Sequence, residues 1–127
     1  MVHRSTESQA AHDRLVRQLA DLLAEKHFRD VRADLDGHAD RPARIFRSLA
    51  CPGTVPDVTA VGIQCLLFEV ETTDSLDDVH VEDEWRLFAA YAQNRSAEFW
   101  VVVPKECKQA AISRMEQLGL EPRVMGI

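Results

Sequence analysis

Pro56-Asp57-Val58-Thr59-Ala60-Val61-Gly62-Ile63-Gln64-Cys65-Leu66-Leu67-Phe68-Glu69-Val70-Glu71 is the stretch that decides the fold. Apolar and β-branched residues fill the space between the acids, and one glycine interrupts them near the middle. That is the pattern of a β-hairpin. A turn centred near Gly62-Ile63-Gln64 makes the numbers of facing residues sum to about 126, which sets Asp57 opposite or nearly opposite Glu69. Side chains alternate along a strand, so Glu69 and Glu71 share a face. Three carboxylates then converge at one end of the hairpin. Like charges at this density repel and are costly to bury unless a cation sits among them. Hard oxygen donors of this kind suit Mg²⁺ or Mn²⁺.

Outward from the hairpin, both flanks read as alternating helices and strands. Residues Ala11, Leu15, Leu19, Leu22 and Leu23 recur at helical spacing, which predicts an amphipathic helix from Ser8 to Phe28. A strand over Val31–Leu35 follows, ending at the turn signal Asp36-Gly37. Pro42 opens a segment of mixed character, Ala43–Leu49, and Cys51-Pro52-Gly53 is a break. After a polar connection over Thr72–Asp78, Trp85, Phe88, Ala89 and Ala92 form one stripe of a helix spanning Glu82–Asn94. Phe99-Trp100-Val101-Val102-Val103 is a continuous apolar run, expected of a strand covered on both faces. Pro104 ends it. A third helix runs over Lys108–Leu118 with Gly119 as its C-cap, and Arg123–Met125 adds a short edge strand. The order α-β-(β)-β-β-α-β-α-β predicts a mixed sheet between helices, in one domain with a loose stretch over residues 1–7.

Each acid has a plain reading beside the functional one. Asp57 follows proline and is a common turn residue. Glu69 is harder to explain away, because it lies in an apolar strand, where a carboxylate needs a partner or a metal. A structural salt bridge is the rival to ligation for both. Glu71 stands nearer the strand end and is either part of the site or simply solvated. His12 on the first helix is a candidate base or an ordinary helix residue. His80, together with Asp74, either lines the site or belongs to a polar loop. Trp85 and Gln93 are candidate pocket walls, and Trp85 reads more readily as core.

Pro56-Asp57 followed by Glu69-Val70-Glu71 resembles the motif of the PD-(D/E)XK nuclease superfamily, whose fold is restriction-endonuclease-like. The resemblance runs from about Ala11 to Leu120 as a pattern of elements, not as close identity. It implies an α/β fold with a mixed central sheet flanked by helices. It implies cleavage of phosphodiester bonds in nucleic acid, with Asp57, Glu69 and Glu71 as catalytic residues binding Mg²⁺ or Mn²⁺. Family members often add an acid from the first helix; Asp13 matches that placement, and Glu25 is the alternative. The position usually held by lysine is Glu71 here, and E-X-E versions occur in the superfamily. The change removes the lysine that helps orient water and steady developing charge. A catalytically inactive interaction module of the same fold is therefore the alternative, and a metal-dependent hydrolase of another kind is a third.

Composition bounds these readings. A length of 127 residues with 46% apolar content supports a single globular core. No apolar run reaches membrane-spanning length and no apolar signal segment opens the chain, so the expectation is a cytoplasmic protein with no membrane partner. Cys51, Cys65 and Cys107 lack CxxC spacing, which argues against disulfides and structural zinc. Cys65 is expected in the core, and Cys107 is a buried residue or a thiol nucleophile. A net charge of −6 argues against strong DNA binding, because phosphate contacts supply most non-specific affinity. Arg41, Arg44 and Arg47 form a local basic cluster or a solvated loop. DNA is the expected partner ahead of RNA, and a homodimer fits cleavage of both strands.

Overall fold

The structure is a computed structural model that describes residues 5–46 and 53–127. The hairpin has the expected register: Val58 faces Phe68, Ala60 faces Leu66, and each pair sums to 126. Its strands are β2 (Val58–Val61) and β3 (Cys65–Val70), and β1 (Arg29–Ala33) pairs antiparallel on the outer side of β2. Beyond β3 the sheet turns parallel, with β4 (Glu98–Val103) and then β5 (Val124–Gly126). The spatial order β1-β2-β3-β4-β5 is the chain order. Parallel neighbours need a crossover. Helix α2 (Val79–Asn94) supplies it between β3 and β4, and α3 (Lys108–Gln117) between β4 and β5. The molecule is thus mixed α/β, a five-stranded sheet flanked by helices.

The helices form where the sequence marks them, with shifted ends. Helix α1 spans Thr6–Glu25; Ser5 caps it by accepting a hydrogen bond from the Ser8 amide at 3.1 Å. Its buried face is His12, Val16, Leu19, Ala20 and Leu23. The α2 stripe begins earlier than apolar spacing indicates, because Asp78 caps the helix by accepting from the His80 amide at 2.8 Å. Strand β1 lies two residues upstream of its expected place. The described part of the mixed segment after Pro42, through Phe46, contributes an isolated bridge between Ile45 and Thr54. Arg47 and Cys51-Pro52 lie outside the described residues.

Alternation along the strands sorts side chains into two cores. Val58, Ala60, Phe68, Val70 and Val102 pack with Val16, Leu19 and Leu23 of α1. Leu67, Phe99, Val101 and Val103 pack with Trp85, Phe88, Ala111 and Met115 of α2 and α3. Glu69 and Glu71 have the parity of Leu67, which aims them toward the α2 layer. Val101, Val102 and Val103 are fully buried, as a strand covered on both faces requires. Cys65 departs from expectation. It begins β3 beside the hairpin turn and is exposed; the fully buried part of this strand starts further along, at Leu67. Among the described residues no helix is long and apolar enough to cross a membrane.

Candidate functional site

The carboxylates meet where β2 begins and β3 ends. The Asp57 amide donates to Glu69 Oε1 at 3.0 Å, and the Val70 amide donates to Asp57 Oδ2 at 2.7 Å. The Asp57 side chain thus occupies the ladder position just before β2 starts. Asp57 Oδ2 also meets His12 Nε2 at 3.1 Å, which ties the hairpin to α1. Glu69 is 4% exposed. Burial first, and then the charges of Asp57, Glu71 and Glu84, push its carboxyl well above the ordinary range; the Asp57 amide opposes them weakly. Among the described residues, Glu69 Oε2 and Asp57 Oδ1 receive no hydrogen bond.

Glu71 is buried too, at 2% exposed, so it is not a solvated strand end. Its surroundings differ from those of Glu69. Ser75 Oγ donates to Oε1 at 2.8 Å, and Trp85 Nε1 donates to Oε2 at 3.1 Å. Ser75 sits in the connection after β3, where its hydroxyl also accepts from the Thr72 amide at 3.0 Å. Trp85 is fully buried, and its indole N–H finds a partner in this carboxylate.

Asp13 reaches the cluster through an intermediary. Its Oδ1 lies 3.2 Å from His12 Nδ1 and accepts from Gln9 Nε2 at 2.8 Å. His12 therefore stands between Asp13 and Asp57, with a carboxylate oxygen at each ring nitrogen. Glu25 is exposed in the last turn of α1, about 18 Å along the helix axis from Asp13, and lies apart from the site. His80 is exposed and pairs with Asp78 at 3.0 Å. Asp74 is exposed and accepts from Thr72 Oγ1, and Gln93 is exposed near the end of α2. Cys107 is buried, with its sulfur 3.2 Å from Thr73 Oγ1. Of the arginines ahead of the motif, Arg41 pairs with Asp34 and Asp36, and Arg44 donates to the Gly53 carbonyl.

Two further acids belong to this edge of the sheet. Glu84 on α2 acts on Glu69. Asp34 follows β1, and its amide donates to the Asp57 carbonyl at 2.8 Å. Burial first and the Asp57 charge second raise the Asp34 carboxyl, while Arg41 and His12 lower it. No motif marks either residue; each arrives through tertiary packing.

Among the described residues no three His, Cys, Asp or Glu side chains are arranged as a ready-made metal site. The donor chemistry nonetheless suits a hard cation. Mg²⁺ is commonly held by one or two carboxylates and keeps several waters. Asp57 and Glu69 each keep one oxygen available, and Glu69 sits in a field of carboxylates that a cation would relieve. Comparison with known proteins returns no match: no protein-family model, no curated protein and no solved structure aligns with this chain.

Proposed function

We propose that this protein is a divalent-metal-dependent, nuclease-like phosphodiesterase of restriction-endonuclease-like fold, acting on nucleic acid, DNA ahead of RNA, in the cytoplasm. The observation that carries this reading is Glu69: a buried carboxylate crowded by Asp57, Glu71 and Glu84, with one backbone donor and one oxygen left over. Asp57 and Glu69 hold Mg²⁺ or Mn²⁺. The bound ion supplies Lewis-acid polarisation of a phosphate oxygen and a lowered pKa for a bound water. His12 fixes the Asp57 carboxylate from the α1 side, and Asp13 orients His12 in turn. Glu71, held by Ser75 and Trp85, keeps the end of β3 in place beneath Glu69.

A magnesium titration followed by melting temperature tests the site, since an ion that binds only the folded chain stabilises it by mass action. Millimolar Mg²⁺ raises the melting temperature of the parent protein and leaves Glu69→Gln unmoved. Cleavage of duplex, single-stranded and branched DNA and of RNA, with Mg²⁺ and with Mn²⁺, tests the chemistry. Asp57→Asn and Glu69→Gln lose activity by orders of magnitude, because each removes a charged ligand. An unchanged parent melting temperature would sink the metal site.

The second reading is a catalytically inactive interaction module. Glu71 favours it: both of its oxygens are engaged, and it stands where the resembled motif carries lysine. Metal binding without cleavage of any substrate in that panel selects this reading. Glu71→Lys separates the two further, lowering the activity of a working E-X-E site and raising that of a decayed one.

A further inference from the structure

Helix α1 is the only described helix packed on its face of the sheet, and the β4–β5 end of that face stays partly open. A groove of about 870 Å³ runs there, between the C-terminal end of α1, the hairpin turn, and strands β4 and β5. Leu22, Phe28, Leu66, Phe68, Trp100 and Met125 make its apolar floor and walls. The wall at the turn is tight: a Cβ on Gly62 would meet the Phe28 ring at 2.9 Å. This volume is typical of small-molecule pockets.

The mouth carries Lys26, His27 and Arg29. Neither Lys26 nor Arg29 joins any ion pair among the described residues. Arg29 donates only to the Gly62 carbonyl, at 3.3 Å. The one acid of the groove, Glu98, accepts from the Trp100 indole at 3.0 Å. An apolar floor with a cationic rim complements an apolar chain ending in an anion. The groove lies at the opposite end of β3 from the carboxylate cluster, about 21 Å along α1 from His12, and owes nothing to the proposed nuclease reading.

We propose that this groove binds an anionic amphiphile, with an alkyl chain along Leu66, Phe68 and Trp100 and a carboxylate between Lys26 and Arg29. The test titrates the full chain with dodecanoate below its micellar concentration, reading tryptophan emission and melting temperature. Both change saturably. Trp100→Phe keeps the stabilisation and loses the emission change, since Trp85 is sealed in the other core. Dodecyltrimethylammonium, with the same chain and opposite charge, binds roughly tenfold more weakly. Lys26→Gln weakens dodecanoate roughly two- to fivefold and leaves the melting temperature without amphiphile unchanged. Absence of saturable binding, or equal affinity for the two amphiphiles, overturns the proposal. So does a stable dimer in sedimentation that dodecanoate does not disperse, because a second copy then fills the groove.

Discussion

Glu69 and Glu71 share a face at the end of β3 and are almost equally buried, but different hydrogen-bond donors hold them. Glu71 has a donor on each oxygen, one from a hydroxyl and one from an indole. Glu69 has a single backbone donor and acidic neighbours. Burial alone therefore does not tell how a buried carboxylate is held. The number of donors does. A buried acid with both oxygens satisfied anchors its surroundings, whereas one surrounded by acids stores unfavourable energy that a proton or a metal ion releases.

The largest effect that bears on this difference is at Trp85. Trp85→Ala opens a cavity in the α2 core and strips Glu71 Oε2 of its donor, costing about 3–5 kcal/mol in a urea melt. Trp85→Phe keeps most of the volume and isolates the lost hydrogen bond, at about 1–3 kcal/mol. A Phe variant as stable as the parent would remove the indole from the account of Glu71.

Next come the paired amide substitutions, which have opposite signs at neutral pH. Glu71→Gln turns an amide N–H₂ toward a donor and destabilises by about 1–3 kcal/mol. Glu69→Gln removes one repelling charge and raises the metal-free melting temperature. Equal losses in both variants would erase the distinction between the two sites.

The pH dependence sharpens it. Burial and the neighbouring acids hold the Glu69 carboxyl well above the ordinary glutamate value of 4.5, so the folded chain holds its proton more tightly than the unfolded chain does. Its contribution to stability is fully present below that value and is lost as pH rises through the folded pKa. Asp34, raised by its burial above the ordinary aspartate value of 3.8, acts in the same direction. Melts of parent and Glu69→Gln converge in acid and separate toward neutral pH, with the variant the more stable. Separation in the opposite order would contradict the crowding of Glu69.

The smallest effect is at Asp13, whose side chain is 43% exposed. Asp13→Asn changes stability by less than about 0.5 kcal/mol, as surface substitutions do. At the proposed metal site its influence is correspondingly indirect, exerted through the orientation of His12. A loss of metal binding as large as that of Asp57→Asn would make Asp13 a direct ligand.

Much of this architecture was legible because it is local. The hairpin register follows from one turn and alternating apolar residues, and the convergence of Asp57 with Glu69 follows from the register. Helix and strand types follow from periodicity, with errors at the ends where caps such as Asp78 decide. The remainder of the site is tertiary. His12 meets Asp57 across 45 positions of chain, Trp85 meets Glu71 across 14, and Glu84 approaches from another element. No spacing rule announces such encounters. The donors that set Glu71 apart from Glu69 belong to the same class, so their different surroundings were invisible in the motif Glu69-Val70-Glu71.

Among the described residues the sheet is ordered as the chain is ordered, each strand lying beside its predecessor and none inserted between two others. During synthesis each strand after β1 can therefore add to an edge that its predecessor presents. The hairpin of β2 and β3 closes over a three-residue turn, so its ordering is inexpensive. The parallel strands come later, each delivered by a single helix, and no completed pairing has to reopen to admit them. The strand order is compatible with assembly in the direction in which the chain is made, with β5 adding to the edge that β4 presents.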